Sequence, residues 1–371
     1  MSDILFVTWD GGGNVPPALG IAAQLQLRGH AVCFLGHARQ REAIAAAGFD
    51  FQPYAHARSW SAVAPHPGIK GLMRQLDVFA DRGMGADLLQ TVHERPADLV
   101  IIDCLLFGAL QAAERAGLRR AVLVHTLYGQ QRATWSTGMG GLRMRLSGLR
   151  PVALWTHADL ALVTTLRAID QCAAVPVNVH FTGPVWQNAQ PEPAAPPDGE
   201  PLVLVSLSTL YQDGQVKALQ AILDGLAPLP VRVVLTTGPS IDPAALRAPA
   251  NAQVLRYVNH DVEMSQASLV VGHGGHGTTM TALAHDLPLV IMPMFALGDQ
   301  PAIGHALERL GAARVLPKNA TAERIAAAVQ EMLPDGPHRA AARALGAMIR
   351  EHDGAEAAAD VLERLLAPVR V

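Results

Sequence analysis

A glycine-rich stretch with two histidines and two threonines is the strongest chemical signal in the sequence. It reads VGHGGHGTTM from Val271 to Met280 and connects a predicted strand to a helix. Its four glycines let a ligand approach the backbone closely, and the helix behind them offers unpaired N–H groups and a positive dipole end to an anion. Because the imidazole of His273 and the hydroxyls of Thr278 and Thr279 add further donors, the stretch predicts a phosphate site. A tight turn capped by a threonine is the alternative.

Polar and aromatic residues that follow neighbouring strands extend this site. Asp299 and Gln300 come after the next predicted strand, so they reach the same carboxyl edge of the sheet. A carboxylate accepts hydrogen bonds and an amide both donates and accepts them, which suits sugar hydroxyls. Taken alone, Asp299 also fits the N-cap of the following helix. Tyr257, after the preceding strand, either stacks on a nucleobase or packs in the core.

Apolar runs of strand length alternate with helical patterns through both halves of the chain. Eight runs predict strands: Ile4–Val7, Ala31–Leu35, Leu99–Ile102, Ala121–Val124, Leu202–Val205, Val231–Leu235, Leu269–Val271 and Leu289–Met292. Continuous runs, rather than alternating ones, are typical of parallel strands covered on both faces. Helical patterns such as Pro17–Arg28 and Ala302–Leu310 fall between them. The sequence therefore predicts an α/β protein with two doubly wound parallel sheets.

The Pro-rich segment Gly183–Pro201 separates these halves and has no helical or strand period. We therefore predict a first domain over residues 1–185, a linker over 186–200 and a second domain over 201–371. The last predicted helix, about Ala355–Leu366, fits on either domain. Two such sheets in series are expected to place a ligand cleft at the carboxyl ends of their strands.

Composition narrows the classes of function. The 371 residues include 29 basic and 32 acidic side chains without a basic cluster, which argues against nucleic-acid binding. The three cysteines are far apart in apolar surroundings, so we expect buried thiols rather than metal ligands. The N-terminus begins a strand almost at once, and no apolar run approaches the roughly 20 residues of a membrane span. These features predict a cytoplasmic protein, and they leave a homodimer open.

The turn Asp10–Pro17 contains three glycines, as a dinucleotide-binding fingerprint does. Counting from Gly11 and Gly13, the third glycine of that pattern falls on Pro16. The next strand ends at Gly36 and His37, so no acidic residue is in place to bind a ribose. A dehydrogenase is therefore not indicated.

The order of the motifs closely resembles the donor-site signature of glycosyltransferases with the GT-B fold. An aromatic residue and Val258 follow one strand, HGGHGTT follows the next, and PMFALGDQ follows the one after that. Within that fold the sequence resembles the inverting antibiotic, macrolide and plant natural-product enzymes over both halves of the chain. The resemblance implies two Rossmann-like domains facing across a cleft. The first would bind an acceptor and the second a nucleotide-sugar donor.

The resemblance also implies roles for individual residues of the second domain. The residues matched to diphosphate binding are His273, Gly275, Thr278, Thr279, Ser208 and Thr209. Tyr257 takes the place of a base-stacking tryptophan, and Val258 is expected to contact the base through its backbone. Asp299 and Gln300 match the acid–amide pair that holds the donor sugar. No metal and no separate cofactor are implied, because the nucleotide sugar is itself a co-substrate.

The first domain departs from the family pattern at the general base. The family usually carries a histidine, or in some branches an aspartate, in the turn after the first strand, but Gly12 and Asn14 stand there. Neither side chain accepts a proton at neutral pH. Asp10, Asp103 and His125 end strands of this sheet and are the replacement candidates, in that order. Asp103 also matches the aspartate that orients the family's histidine, and a desolvated carboxylate has the raised pKa that a base needs. For His125, a hydrogen-bonded strand end is the alternative.

Acceptor binding falls to the first domain in this interpretation. Residues 55–85 and 128–148 are predicted to be irregular and carry large apolar side chains, namely Trp60, Phe79, Met84, Tyr128, Trp135 and Met139. Such loops suit a hydrophobic aglycone, although packing in the core is the simpler role for each side chain.

The sequence thus predicts a hexosyl or deoxyhexosyl transferase. It would move a sugar from a TDP- or UDP-linked donor to a hydrophobic natural product, with inversion and without a metal ion. Two alternatives stay open. One is a nucleotide-sugar epimerase or hydrolase on the same fold, and the other is a non-catalytic donor-binding partner protein.

Overall fold

The computed structural model describes residues 1–195, 199–208 and 212–367. These residues form two compact α/β units. The first unit comprises Met1–Ala62, Ile69–Ala189 and the chain from Asp353 onward, and the second comprises Val63–Gly68 and Gln190–His352. The last helix therefore belongs to the first unit.

The first unit contains a seven-stranded parallel sheet. Its strands are β1 (Asp3–Val7), β2 (Ala31–Gly36), β3 (Asp50–Pro53), β4 (Leu99–Asp103), β5 (Arg120–Val124), β6 (Leu160–Val163) and β7 (Val179–Phe181). They pair in the order β3-β2-β1-β4-β5-β6-β7. Alternate side chains of the central strands enter two separate cores, which explains why these strands are continuously apolar.

Helices cover both faces of this sheet. They are α1 (Val15–Leu27), α2 (Arg41–Ala46), α3 (Gly68–Phe79), α4 (Arg82–Glu94), α5 (Phe107–Arg115), α6 (Tyr128–Thr137), α7 (Met139–Leu146) and α8 (Pro151–Thr156), with a 3₁₀ turn at Ala38–Gln40. On one face, Val100 of β4 shares a core with Leu88 of α4 and Leu110 of α5. On the other face, Ile101 shares a core with Ile21 of α1.

The second unit contains a six-stranded parallel sheet in the order β10-β9-β8-β11-β12-β13. Its strands are β8 (Leu202–Ser206), β9 (Arg232–Thr236), β10 (Ala252–Leu255), β11 (Leu269–Gly272), β12 (Leu289–Ile291) and β13 (Ala313–Val315). Its helices are α9 (Gln215–Leu226), α10 (His260–Met264), α11 (His276–Ala284), α12 (Gln300–Arg309), α13 (Ala322–Met332) and α14 (Pro337–Arg350), with a 3₁₀ turn at Pro243–Ala245. The final helix of the chain, α15 (Gly354–Leu366), follows and belongs to the first unit.

Each sheet has one point at which the strand order reverses. This point lies between β1 and β4 in the first sheet and between β8 and β11 in the second. In open α/β sheets the carboxyl ends of the strands that flank such a point form a crevice where ligands bind. The candidate residues that follow β1, β4, β8 and β11 therefore stand where this architecture places a site.

All eight strands predicted from the sequence are present, with boundaries within one residue of the prediction. The strand β10 is the one that was expected before Tyr257 without stated bounds, and the strands that were missed are β3, β6, β7 and β13. The prediction that residues 55–85 and 128–148 are irregular was wrong, because α3, α6 and α7 occupy much of them. The three cysteines are free and buried, as expected. Across the residues described, the helices are too short or too polar to span a bilayer.

The segment after Ala189, predicted as part of a linker, lies along the second unit. The side-chain amide of Gln190 donates to the Ile349 carbonyl at 3.0 Å. The N–H of Ala194 donates to the His285 carbonyl, also at 3.0 Å. These hydrogen bonds place the change from one unit to the other at about Ala189.

Candidate functional site

The glycine-rich stretch forms the connection between β11 and α11. The strand ends at Gly272, Gly275 is the N-cap, and the helix begins at His276. No described side chain caps this helix by a hydrogen bond, so the capping threonine that was the alternative is not observed. The N–H groups and dipole of such a helix end favour an anionic ligand.

The imidazole of His273 lies directly over Gly275. A Cβ atom at Gly275 would be 2.4 Å from Nε2 and 2.6 Å from Cε1 of that ring. Because Gly275 has φ −65° and ψ 133°, which any residue adopts, the requirement for glycine here is steric. The missing side chain lets the ring sit at the N-terminus of α11, where imidazole and helix amides are available to the same anion.

Burial lowers the pKa of His273 from 6.5 to about 4. The Asp299 carboxylate and the Ser206 backbone oppose this shift, while His260 adds to it. The Nδ1 atom is buried without a hydrogen-bond partner among the described residues. The ring is therefore neutral at neutral pH and offers an uncharged hydrogen-bond donor.

We expect His273 to make the protein less stable as the solution becomes acidic. Its pKa is about 4 in the folded protein and 6.5 without burial, so between these values the unfolded chain binds a proton that the folded chain does not. The free energy of unfolding should therefore fall by up to about 3 kcal/mol over this range, at about 1.36 kcal/mol per pH unit. Urea unfolding of wild type and His273→Asn, at about pH 7 and about pH 4.5, measures the effect. The free energy of unfolding of the variant, relative to that of wild type, should be higher at the lower pH than at the higher one. A pH-independent difference between the two would contradict the lowered pKa.

The amide oxygen of Gln300 accepts hydrogen bonds from the loop that follows β12. The Oε1 atom accepts hydrogen bonds from the N–H groups of Met294 at 2.8 Å and Phe295 at 3.0 Å. The Nε2 group is left as the donor for a ligand. Asp299 occupies the N-cap position of α12, but its side chain makes no capping bond within the described structure, and it lies close enough to raise the pKa of His273. The pair thus presents an acceptor and a donor beside the glycine-rich stretch.

Tyr257 lies on the surface between β10 and α10. Its side chain is 79% exposed, so the alternative of a core tyrosine is wrong. Val258 beside it is partly buried. An exposed aromatic ring is free to stack on a planar ligand, and the adjacent backbone supplies polar groups for its edge.

The remaining residues predicted for diphosphate binding differ in accessibility. Thr278 is partly exposed in the first turn of α11, whereas Thr279 is 1% exposed. This burial favours Thr278 as the hydroxyl that reaches a ligand. Ser208, just beyond β8, is buried, and its carbonyl accepts from the side chain of Gln215 at 3.1 Å. Thr209 lies outside the described residues.

In the first unit, two of the three base candidates lie side by side. Asp103 is the last residue of β4, and His125 follows β5 directly. The register of the sheet pairs Asp103 with Leu123. Nδ1 of His125 is 3.4 Å from Oδ2 of Asp103, and their side chains are 15% and 3% exposed.

Burial raises the pKa of the Asp103 carboxyl group. The shift is opposed by the charge of His125, by the Leu105 N–H, which donates to Oδ1 at 3.0 Å, and by the nearby polar side chains of Asn14 and Trp9. The side-chain amide of Asn14, which stands where some of the family carry an aspartate, donates to the Thr8 hydroxyl and to the Trp9 carbonyl, both at 3.1 Å. Trp9 was not among the residues predicted from the sequence. Its position directly before the candidate Asp10 could have indicated it.

Asp10 is held by a different set of contacts. Its backbone N–H donates to Nδ1 of His37 at 3.2 Å, and Nε2 of His37 donates to the Arg58 carbonyl at 3.1 Å. Both nitrogens of His37 are therefore occupied, and burial lowers the pKa of that ring. None of the described residues makes a hydrogen bond to the Asp10 carboxylate. The structure brings Asp103 and His125 together and does not include Asp10 in that pair.

Aromatic side chains pack in the core that also contains Ile102 and Cys104, the neighbours of Asp103 in the chain. The ring centroid of Trp9 is 5.1 Å from that of Phe79 and 6.2 Å from that of Trp60. Most of the apolar residues predicted to face an acceptor are buried in this core, namely Phe79, Met84, Tyr128 and Trp135, while Trp60 is partly buried. Met139 is 84% exposed. Packing therefore explains most of these residues, and the cluster makes the surroundings of Asp103 apolar.

Comparison with known proteins supports the resemblance found in the motifs. Residues 220–365 match the family described as "Erythromycin biosynthesis protein CIII-like, C-terminal domain". The 4'-demethylrebeccamycin synthase of Lentzea aerocolonigenes is 26% identical, covering 98% of this chain and 99% of that protein. Demethyllactenocin mycarosyltransferase of Streptomyces fradiae is 32% identical over 51% of this chain and 41% of its own. The solved structure of the glycotransferase of kitacinnamycin matches with a TM-score of 0.79 at 25% identity, covering 99% of both chains.

The two parallel sheets and these full-length matches define the protein as a glycosyltransferase with the GT-B fold. Within that class it is a glycosyltransferase of the natural-product antibiotic type.

Proposed function

We propose that this glycosyltransferase moves a sugar from a TDP- or UDP-linked donor to a hydroxyl group of a hydrophobic natural product. The observation that carries the proposal is the neutral His273 ring over Gly275, at the uncapped N-terminus of α11. Such a position suits the diphosphate, which gains negative charge as the bond to the sugar breaks. Donors that are already in place when this charge develops are worth several kcal/mol to the transition state.

The remaining donor contacts follow from the same edge of the second sheet. Thr278 and the first amides of α11 would bind the phosphates, with Gly275 and Ser208 shaping the loops around them and Thr279 buried within α11. The exposed ring of Tyr257 would stack on the nucleobase, and Val258 would bind its edge through the backbone. Asp299 would accept from a sugar hydroxyl, and the Nε2 group of Gln300 would donate to one.

No metal ion is needed in this proposal. Helix amides, His273 and Thr278 would stabilise the leaving diphosphate. Among the residues with described positions, no group of three metal-ligating side chains occurs in the second unit.

The first unit would supply the general base, from Asp10, Asp103 and His125. The base takes the proton of the acceptor hydroxyl while its oxygen attacks the anomeric carbon and the diphosphate departs. A single displacement of this kind inverts the anomeric configuration. The apolar surroundings of Asp103 and relatives named for 4'-demethylrebeccamycin and demethyllactenocin favour a hydrophobic natural-product acceptor.

Turnover of the donor with and without acceptor tests the proposed function. The protein would be incubated with TDP- and UDP-sugars and a mixed panel of aromatic and macrolide acceptors, in the presence and absence of EDTA. Mass spectrometry should detect a glycoside and free nucleoside diphosphate only when acceptor is present, and EDTA should not prevent this. An altered or hydrolysed donor without acceptor would support an epimerase or hydrolase instead. Binding without any turnover would support a non-catalytic partner protein.

We expect Gln300→Glu to separate sugar binding from loop anchoring. A carboxylate still accepts from Met294 and Phe295, but it cannot donate to a sugar hydroxyl. The KM for the donor should rise about tenfold, the worth of a hydrogen bond of about 1.4 kcal/mol, while the melting temperature stays near that of wild type. Gln300→Ala is the comparison, because it also leaves two buried N–H groups unpaired and should cost about 1–3 kcal/mol of stability. An unchanged donor KM in Gln300→Glu would show that the amide does not contact the sugar.

A further inference from the structure

We infer that His125 is the general base of this enzyme and that Asp103 positions it. The inference rests on the proposed glycosyl transfer and names the base for it. The histidine that the family carries after the first strand is absent here, and the dyad is instead assembled from the ends of β4 and β5. His125 would be the catalytic residue, since it touches the acceptor hydroxyl, and Asp103 acts through it.

The geometry of the pair fits a histidine oriented by a buried carboxylate. Nδ1 of His125 faces Oδ2 of Asp103 at 3.4 Å, and both atoms are buried. The separation is that of an ion pair, and neither atom makes a hydrogen bond of good geometry within the described chain. We assign the proton to Nδ1, which the nearby carboxylate attracts, so that Nε2 carries the lone pair. The side chain of His125 is 15% exposed, so its Nε2 atom is available to a ligand.

The carboxylate of Asp103 is itself held in place. Its Oδ1 atom accepts from the Leu105 N–H at 3.0 Å, and the side chains of Asn14 and Trp9 lie at the same group. Asp103 is the terminal residue of a buried central strand, which fixes its backbone. A rigid, apolar setting strengthens the interaction between this carboxylate and an imidazolium.

Asp10 and His37 lack these properties. The His37 ring is bonded at both nitrogens, to the Asp10 N–H and the Arg58 carbonyl, so it has no lone pair for an acceptor. The Asp10 carboxylate has no positioning hydrogen bond within the described residues. Of the three side chains of Asp10, His37 and His125, only that of His125 combines an open ring nitrogen with a carboxylate beside the other nitrogen.

The acceptor O–H bond breaks, and its proton goes to Nε2 of His125. The acceptor oxygen forms a bond to the anomeric carbon, and the bond from that carbon to the diphosphate oxygen breaks with its electron pair. The imidazolium is stabilised by Asp103 and later releases the proton to solvent. No oxidant, reductant or further reactant is required.

A bound cation is the rival explanation for the cluster. The sulfur of Cys104 lies within 4.8 Å of the facing atoms of Asp103 and His125. In the dyad the thiol has no role, so Cys104→Ala should keep turnover near wild type. Loss of turnover in Cys104→Ala, or after EDTA treatment with recovery on adding Zn²⁺, would overturn the assignment.

The kinetic test uses para-substituted phenols, from the acidic 4-nitrophenol to the less acidic 4-methoxyphenol, with a TDP- or UDP-sugar. A base matters most for an acceptor that holds its proton tightly. His125→Gln should lower kcat for 4-methoxyphenol about 10²–10⁴-fold and should lower it much less for 4-nitrophenol. Asp103→Asn should show the same dependence on acceptor acidity with a smaller loss. Donor KM should not change in either variant.

Matched controls separate catalysis from folding. His157→Gln makes the same substitution at an exposed histidine, 3.0 Å from Glu114 in the same unit, and should keep the wild-type profile. Binding of TDP and UDP by calorimetry checks that each variant is folded. Equal losses with all phenols in His125→Gln, or an acidity-dependent loss in Asp10→Asn instead, would overturn the inference.

The protonated ring nitrogen of His125 can be identified by NMR, and this test does not depend on phenols being good acceptors. Long-range ¹H–¹⁵N spectra of the full-length protein with ¹⁵N-labelled histidine report which ring nitrogen carries the proton. The signal of His125 is identified by its loss in His125→Gln. We expect the Nδ1–H form in wild type and less of that form in Asp103→Asn. An Nε2–H form in wild type would overturn the inference, because no lone pair would then face the acceptor. Failure of the proposed function itself would appear separately, as the absence of any glycoside from the acceptor panel.

Discussion

Gly275→Ala should abolish most of the transferase activity. The new Cβ atom would lie 2.4 Å from Nε2 of His273, so the imidazole must leave the N-terminus of α11. Loss of one preorganised donor to a developing charge typically lowers kcat by about 10²–10³-fold. The backbone of Gly275 accommodates alanine without strain, so the melting temperature should change little. Steady-state kinetics with a TDP- or UDP-sugar, together with thermal unfolding, measures both effects.

Gly277→Ala is the matched control within the same stretch. A Cβ atom there meets no atom of the described residues within 4 Å, and alanine in the first turn of α11 favours the helix by about 0.5–1 kcal/mol. Activity should therefore stay within a few-fold of wild type. His273→Ala should match Gly275→Ala, and the double variant should be no worse than either single one, since both remove the same contact. Near-normal kcat in Gly275→Ala would show that the seated ring does not serve catalysis.

Removal of α15, by ending the chain at His352, should destabilise the first domain and spare the second. The buried face of this helix packs against α1, and its fully buried residues are Ala358, Ala359 and Leu362. Leu362→Ala alone should cost about 2–5 kcal/mol, so loss of the whole helix should cost more. Calorimetry with and without TDP or UDP identifies the second domain as the one whose transition the nucleotide raises. That transition should keep its temperature in the shortened chain, while the transition of the first domain should move to a lower temperature.

Arg364→Ala is the control for this prediction. Arg364 lies on the exposed face of α15, and a surface change there should alter stability by no more than about 0.5 kcal/mol. The ion pairs of Arg28 with Asp360 and Glu363, at 2.6 and 2.8 Å, are partly exposed and should contribute little. If the shortened chain instead loses the nucleotide-sensitive transition, α15 supports the second domain and the division at His352 is wrong.

The sequence by itself determined the architecture and the position of the glycine-rich stretch between a strand and a helix. Central strands such as β4 and β8 are buried on both faces, so they appear as continuous apolar runs that can be recognised without a structure. The glycine-rich stretch is also a local pattern, because one strand, its turn and the next helix supply all its parts. Motifs of this kind carried the glycosyltransferase resemblance, which the relatives confirmed.

Edge strands escaped prediction for the opposite reason. The strands β3, β7 and β13 have four residues or fewer and are partly exposed, so they show no continuous apolar run. The strand β6 is fully buried, but four apolar residues alone cannot be told from part of a helix. Each of these four short segments becomes a strand because it pairs with a neighbouring strand of the sheet.

Only the tertiary structure decided which side chains meet. Asp103 and His125 end different strands, and the parallel register between β4 and β5 brings them together while Asp10 is held elsewhere. The His273 ring lies over Gly275 because the loop folds back on itself, and α15 joins the first unit because its apolar face completes the core beside α1. Each of these outcomes is a contact made by packing, and no local pattern in the chain encodes its partner.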